Sequence, residues 1–164
     1  EVNITTTPRT YRRVANPETR RHAKTWYTAA HSSYYTTALA IMDRALGAEQ
    51  LSDDKLRDPR VQELADKVFI QANAALEELG LPDVVEITTK KHEKFACQVD
   101  YPKGHPVNPM SDADIEEKFR SMAGKFMNDQ QMNEVITTIY NLDRLDDVGK
   151  LVKLLVVPDQ ANES

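Results

Sequence analysis

Alternation of apolar and polar residues predicts β-strands in two parts of this chain. Near the start, Val2, Ile4 and Thr6 alternate with polar neighbours until Pro8 interrupts the pattern. Residues 84–101 contain two further alternating runs, and the polar sequence KKHEK separates them. This arrangement is typical of a β-hairpin, so we predict one strand at the start of the chain and a hairpin later.

The second run of the hairpin has one apolar face. Successive side chains of a strand point to opposite sides of the sheet, so Phe95, Cys97, Val99 and Tyr101 share a face. We therefore interpret Cys97 as a small core residue rather than a nucleophile.

Apolar residues at helical spacing predict helices elsewhere. The stretches with this spacing are HSSYYTTALAIMDRALG, DPRVQELADKV, Ser111 to Phe126, Asp129 to Ile139 and DDVGKLVKLL. Capping residues support two of them, since Asp58 precedes Pro59, and Ser111 lies three residues before Asp114. We predict that Asp129 caps the next helix. TYRRVANPETR is predicted to be a short extended piece followed by a loop, and VFIQ is either a helix end or a brief strand.

These elements predict an α+β fold with a small antiparallel sheet and helices packed on one side, as a two-layer sandwich. The last third of the chain is predicted to be helical. We predict one α+β lobe over residues 1–157 and a flexible tail over residues 158–164.

Composition narrows the classes of function. The chain has 164 residues and a formal net charge of -5, and it has no long basic run, which argues against nucleic acid as the main partner. It has no apolar run of membrane-spanning length. Its single cysteine fits a reducing compartment, so we expect a cytoplasmic location, or a mitochondrial one if the source is eukaryotic. Because the first residue is Glu, we expect the chain to be a piece of a larger protein.

Motif spacing gives no support for a metal or a nucleotide. The four histidines do not form an HxxxH or similar spacing, and the chain lacks a glycine-rich phosphate loop and a GxSxG motif. We therefore predict no metal site and no cofactor.

His31 is a first candidate for chemistry. It lies near the start of the predicted helix, on one face with Tyr35, Ala38 and Met42. The helix dipole there disfavours imidazolium, so a neutral imidazole could accept a proton. The alternative is a histidine that caps its own helix, which the spacing alone favours.

The loop DYPKGHPVNP is a second candidate. It carries Tyr101, Lys103 and His105, and three prolines restrict it. Rigid placement of such groups suits anion binding or proton transfer, whereas the alternative is a proline-rich connector whose polar groups face water. Both interpretations remain open on the residues alone.

Three stretches carry a resemblance to a known family. The sequences NPETR…AAHSSYYTTALAIMD, VDYPKGHPVNPMSDADIEEKFR and NLDRLDDVGKLVKLL resemble the C-terminal region of the 2-methylcitrate dehydratase / cis-aconitate decarboxylase family (MmgE/PrpD). The resemblance runs in order from Asn16 to Leu155, and the run around DYPKGHP is long and specific.

The resemblance implies a small α+β lobe that closes over a larger helical lobe, which supplies most of the active site. It implies metal-free acid/base chemistry on a small polycarboxylate: dehydration, decarboxylation or epimerisation. It implies His31 and Tyr101 as catalytic residues, and Lys103 and His105 as substrate-binding residues. The implied partners are the substrate and the helical lobe, in the same polypeptide or as a separate subunit. A homodimer or hetero-oligomer is implied as well.

The sequence departs from the family pattern beside His31, where Ala30 replaces an aspartate. We therefore keep two hypotheses. The first is the small lobe of a cofactor-independent lyase, expected to be inactive as an isolated chain. The alternative is a non-catalytic binding or assembly module, or an epimerase or isomerase of the same family.

Overall fold

The computed structural model describes residues 1–79 and 82–157. The chain divides into two compact units, Glu1–Asn108 and Pro109–Ser164, and each is treated by itself below. The predicted tail over residues 158–164 lies outside the described residues. The single lobe over residues 1–157 stays a prediction.

Four strands form one sheet in the first unit, in the order β2-β1-β3-β4. The strands are β1 (Val2–Thr6), β2 (Val68–Ala72), β3 (Asp83–Thr88) and β4 (Lys94–Val99). The predicted first strand and hairpin are confirmed, and VFIQ belongs to a strand. The sheet is mixed rather than wholly antiparallel, because β2 pairs with β1 in parallel. A parallel pair needs a long crossover connection, and the helical residues between these strands provide it.

Six helices connect β1 to β2. They are α1 (Pro8–Thr10), α2 (Pro17–Arg20), α3 (Trp26–Ala30), α4 (Ser33–Asp43), α5 (Asp53–Arg57) and α6 (Pro59–Ala65). A π-helical turn (Tyr11–Ala15) lies between α1 and α2, and a 3-10 turn (Ala74–Leu79) follows β2. The extended piece predicted for TYRRVANPETR is wrong, because the Thr7 and Asn16 side chains cap short helices there.

Helix α4 is shorter than predicted at both ends. Ser32 caps its start, and Arg44 ends it in the left-handed region with φ 54°. The Asp58 cap of α6 is confirmed, since the Asp58 side chain accepts a hydrogen bond from the Arg60 amide at 2.9 Å.

The core lies between one face of the sheet and the helices, as predicted. Its buried residues come from β1, β2, α3, α4 and α6: Val2, Ile4, Ala29, Tyr34, Tyr35, Ala38, Leu39, Val61, Ala65 and Val68. Both buried tyrosines have hydrogen-bond partners for their hydroxyls. Tyr34 donates to the Ala15 carbonyl at 2.9 Å, and Tyr35 donates to the Lys55 carbonyl at 2.6 Å.

Strand β4 leaves its apolar face exposed. Phe95 pairs with Ile87, and Cys97 pairs with Val85, so these residues lie on the side of the sheet that carries the core. The buried core includes β1 and β2 but no residue of β4, and Phe95 is 59% exposed. The prediction that Cys97 is a core residue is wrong, because Cys97 is exposed at the uncovered edge of the sheet.

The second unit is helical, which confirms the prediction for the last third of the chain. It contains α7 (Asp112–Ala123), α8 (Asp129–Tyr140), a 3-10 turn (Leu142–Arg144) and α9 (Gly149–Leu154). The capping box of Ser111 and Asp114 is confirmed. Asn128 rather than Asp129 caps α8, because its side chain accepts a hydrogen bond from the Gln131 amide at 2.9 Å. In the described part of the chain, no helix has the length and apolar character needed to cross a membrane.

Candidate active site

His31 lies at the junction between α3 and α4. It is the C-terminal capping residue of α3, and α4 begins two residues later after its own cap, Ser32. His31 is exposed, whereas Tyr35 and Ala38 are buried. The expected shared face is therefore wrong, because the chain changes direction between the two helices.

The imidazole of His31 is held by the helix that precedes it. Its Nδ1 lies 2.8 Å from the Tyr27 carbonyl oxygen, and its ring centroid lies 4.6 Å from that of Tyr27. A carbonyl oxygen can only accept a hydrogen bond, so Nδ1 carries the proton. His31 thus caps α3 rather than its own helix, and in the neutral imidazole Nε2 is left as the basic nitrogen.

Ser32, which the sequence analysis missed, fixes the backbone next to His31. Its hydroxyl donates to the Arg20 carbonyl at 2.6 Å and accepts from the Tyr35 amide at 3.2 Å. The residue is only 1% exposed. A serine directly before a helix is a common cap, so the sequence could have predicted its bond to the Tyr35 amide. The bond to the Arg20 carbonyl has no such local signal.

The loop that follows β4 is closed by hydrogen bonds within itself. The Asn108 side chain donates to the Tyr101 carbonyl at 3.0 Å, and the Gly104 amide donates to the Asn108 carbonyl at 2.8 Å. Gly104 has φ 92°, a left-handed conformation that glycine adopts without strain. These hydrogen bonds restrict the loop further than its prolines alone. Asn108, which takes part in both, was not identified from the sequence.

The loop brings Tyr101 and His105 together. Their rings are stacked with centroids 4.7 Å apart and an interplanar angle of 27°. The Val107 amide donates to His105 Nδ1 at 3.2 Å, so in the neutral ring the proton of His105 is on Nε2. His105 can therefore donate a hydrogen bond from Nε2, whereas His31 can accept one at Nε2. Lys103 is exposed on the same loop.

His31 and the loop lie at the same end of the sheet. The first turns of α4 border a cavity of about 170 Å³ together with Thr6, at the end of β1, and Asp83, at the start of β3. Asp83 pairs with Val99, and the loop begins just after Val99. Within the described residues, no hydrogen bond or ring contact joins His31 to Tyr101 or His105.

The cavity has a hydroxyl-rich lining. Its polar side chains are those of Thr6, Thr10, Ser33, Thr36, Thr37 and Asp83. The Thr6 hydroxyl oxygen is buried and has no hydrogen-bond partner. Among the described residues, no group of three or more His, Cys, Asp or Glu is arranged to hold a metal ion.

The buried tyrosines of α4 serve the fold rather than proton transfer. Burial raises the pKa of Tyr35 to about 12, and Asp58 contributes in the same direction. Burial also raises the pKa of Tyr34, although Arg21 acts against it. Both phenols are therefore neutral hydrogen-bond donors at physiological pH.

Comparison with known proteins relates the sequence of this chain to a family. Residues 1–142 match the MmgE/PrpD C-terminal domain. The chain is 28% identical to the human protein "Cis-aconitate decarboxylase" over 138 residues, which covers 80% of this chain and 28% of that protein. It is 26% identical to the mouse protein of that name over 142 residues, which covers 84% of this chain and 29% of that protein. An Aspergillus terreus protein of that name is 29% identical to this chain over 129 residues, which covers 76% of this chain and 26% of that protein.

The chain thus spans less than a third of the length of the curated relatives it matches. The matched region includes β1, the α3–α4 junction and the loop after β4. The chain belongs to the MmgE/PrpD family, within its C-terminal domain.

Proposed function

We propose that this chain forms one wall of the active site of a cofactor-independent lyase for a small polycarboxylic acid. The lyase would be 2-methylcitrate dehydratase-like or cis-aconitate decarboxylase-like. The proposal rests mainly on the hydrogen bonding of His31. Its Nδ1 donates to the Tyr27 carbonyl while the ring remains exposed, so Nε2 is available to accept a proton. Family membership and relatives named for cis-aconitate decarboxylation support the substrate class.

The proposed roles follow from the hydrogen-bonding state of each group. Nε2 of His31 accepts a proton from the substrate carbon or returns one to it. Nε2–H of His105 and the Tyr101 phenol donate hydrogen bonds to carboxylate or hydroxyl oxygens, and Lys103 supplies positive charge. Dehydration needs a base for the proton and an acid for the departing hydroxyl, while decarboxylation needs an acid for the carbon that loses CO₂.

We propose a helical lobe as the partner that completes the site, in the same polypeptide or as a separate subunit. The short span of the chain relative to its relatives supports this, as does the exposed apolar face of β4, where Phe95 and Val99 are 59% and 48% exposed. A single wall cannot exclude water from the substrate, so the isolated chain is expected to be inactive. A homodimer or hetero-oligomer and a cytoplasmic or mitochondrial location stay predictions.

The alternative, a non-catalytic module, was based on Ala30 in place of an aspartate. In the structure the partner of His31 Nδ1 is the main-chain carbonyl of Tyr27, so the imidazole is oriented without a carboxylate at position 30. This supports the catalytic hypothesis. An epimerase or isomerase would use the same groups, and only substrate assays separate it from a lyase.

The test is turnover by the chain assembled with a helical lobe, assayed against 2-methylcitrate, cis-aconitate and iminodisuccinate. His31→Gln is expected to lower kcat by about 10²–10⁴-fold, which is the usual contribution of a general base. His22→Gln is the matched control, because His22 is exposed on the same unit. Unchanged turnover in His31→Gln would refute the proposed role, and ligand binding without turnover in the wild type would favour the non-catalytic module.

A further inference from the structure

Strand β4 is an open edge of the sheet. It lies last in the order β2-β1-β3-β4, and all six of its residues are exposed. Its residues pair with β3 in continuous register, so no bulge interrupts the edge. The residues from Phe95 to Val99 include no charged residue, proline or glycine. Proteins normally protect an edge strand with one of these features, and this stretch of β4 has none of them.

The opposite edge of the same sheet is protected by an arginine. Arg21 Nη2 donates to the Val68 carbonyl of β2 at 3.2 Å, and the guanidinium lies 5.9 Å from the centroid of the Phe69 ring. A charged side chain in this position blocks the approach of another strand. Among the described residues, no side chain from outside β4 forms a hydrogen bond with the main chain of β4. The fold thus closes one edge and leaves the other open.

The main-chain groups of Lys94, Ala96 and Gln98 face away from β3. The Thr88 amide donates to the Glu1 carbonyl at 2.9 Å, and the amino group of Glu1 donates to the Thr88 carbonyl at 3.1 Å. Thr88 therefore faces β1, so its partner Lys94 has an amide and a carbonyl that face outward. This direction alternates along a strand, so Ala96 and Gln98 face outward as well. The Gln98 carbonyl has a weak contact, at 3.9 Å, with the thiol of the preceding residue.

The side chains of this edge are complementary to those of a second copy. In an antiparallel pair of two β4 strands centred on Cys97, Lys94 lies opposite Asp100, and Phe95 lies opposite Val99. Each copy thus places a positive charge opposite a negative one and an apolar residue opposite another. Neither Lys94 nor Asp100 belongs to an ion pair in the described part of the chain.

The same register pairs the open main-chain groups with each other. Ala96 lies opposite Gln98 of the second copy, and both residues face outward. A pair centred on Ala96 would instead place Lys94 opposite the uncharged Gln98. We infer that two copies of this chain associate through their β4 edges, in an antiparallel twofold pair centred on Cys97.

This inference goes beyond the proposed function and does not depend on it. The edge and the apolar face of β4 are separate surfaces. A helical lobe can therefore cover the face while a second copy pairs with the edge.

Cys97 reports the pair directly. It would face its own copy in a non-hydrogen-bonded position, where Cα atoms lie about 4.5 Å apart and a disulfide can form. Oxidation of the full chain with copper phenanthroline is expected to give a disulfide-linked dimer. The control is Gln71→Cys in a Cys97→Ser background, which places an exposed cysteine on β2 and should give no dimer under the same conditions.

Sedimentation equilibrium of the reduced chain measures the association without a disulfide. The mass of the wild type is expected to rise from monomer towards dimer as the protein concentration increases. Ala96→Pro should abolish this rise, because it removes an outward-facing amide and leaves the hydrogen bonds to β3 in place. Lys94→Glu places two acids opposite each other and should weaken the dimer about 2- to 30-fold. Adding Asp100→Lys to that variant should restore it.

Circular dichroism shows whether each variant is folded, and the Lys94→Glu pair of variants tests the register even if Ala96→Pro fails to fold. A wild-type mass that stays monomeric at every concentration would overturn the inference, as would equal cross-linking of the Gln71→Cys control. A dimer that survives Ala96→Pro, or that Lys94→Glu leaves unchanged, would lie on another surface and would also overturn it. None of these results depends on turnover, so they leave the proposed role of His31 standing.

Discussion

Replacing Ser32 by Ala removes two hydrogen bonds from one buried hydroxyl. The first is the cap of α4, in which the Tyr35 amide donates to Ser32 Oγ at 3.2 Å. The second joins Ser32 Oγ to the Arg20 carbonyl at 2.6 Å and links α4 to α2. Because Ser32 is 1% exposed, water cannot easily replace either partner.

The expected cost follows from these two losses. A lost helix cap costs about 1 kcal/mol, and a buried carbonyl left without its donor costs about 1–2 kcal/mol more. We therefore expect Ser32→Ala to lower the free energy of unfolding by about 2–3 kcal/mol. For a chain of this length, that corresponds to a fall of about 5–10 °C in the thermal midpoint.

Urea unfolding followed by circular dichroism measures this loss. Ser33→Ala is the control, because Ser33 is the next residue and no side-chain hydrogen bond of Ser33 occurs among the described residues. Its effect should be close to zero or slightly stabilising, since alanine is the better helix former. A loss below about 0.5 kcal/mol in Ser32→Ala, within the range of an ordinary surface substitution, would refute the reasoning.

Three other predictions test the loop, the sheet edge and the pH response. Gly104→Ala should lower the free energy of unfolding by about 1–2 kcal/mol, because its φ of 92° is unfavourable for alanine. Gly47→Ala is the control and should have little effect, because an added Cβ would meet only an ordinary contact at 3.6 Å. Thermal unfolding of the two variants measures the difference. Cys97 should react with a thiol reagent in the native chain without denaturant, and slow reaction limited by unfolding would contradict its exposed position. Hydrogen bonds from Arg60 lower the pKa of Asp58 to about 2 from 3.8. The stability from Asp58 should be complete above pH 3.8 and lost as the pH falls towards 2, and Asp58→Asn should flatten this part of the unfolding curve.

The two candidate histidines are held in opposite hydrogen-bonding states by main-chain groups. His31 Nδ1 donates to the Tyr27 carbonyl, whereas His105 Nδ1 accepts from the Val107 amide. Their Nε2 atoms therefore differ, one being an acceptor and the other a donor in the neutral form. An acid and a base differ in the same way, so the roles proposed for His105 and His31 agree with the states that their local backbones impose.

The sequence by itself determined the elements whose signals are local. Alternation identified β1 and the β3–β4 hairpin, and short-range caps identified the starts of α6 and α7. These signals are readable because a cap joins residues only two or three positions apart, and a strand repeats every two residues. The loop with Tyr101, Lys103 and His105 was recognised for the same reason, as its residues are close together in the chain.

Only the tertiary structure decided which faces are covered and which polar groups are paired. Alternation placed Cys97 on an apolar face, but no residue of β4 belongs to the buried core and Cys97 is exposed. The parallel pairing of Val2 with Val68 joins residues far apart in sequence, which no local pattern encodes. The bond from Ser32 to the Arg20 carbonyl and the unpaired Thr6 hydroxyl depend on neighbours brought together by folding, because a hydrogen bond is set by distance in space rather than by position in the sequence.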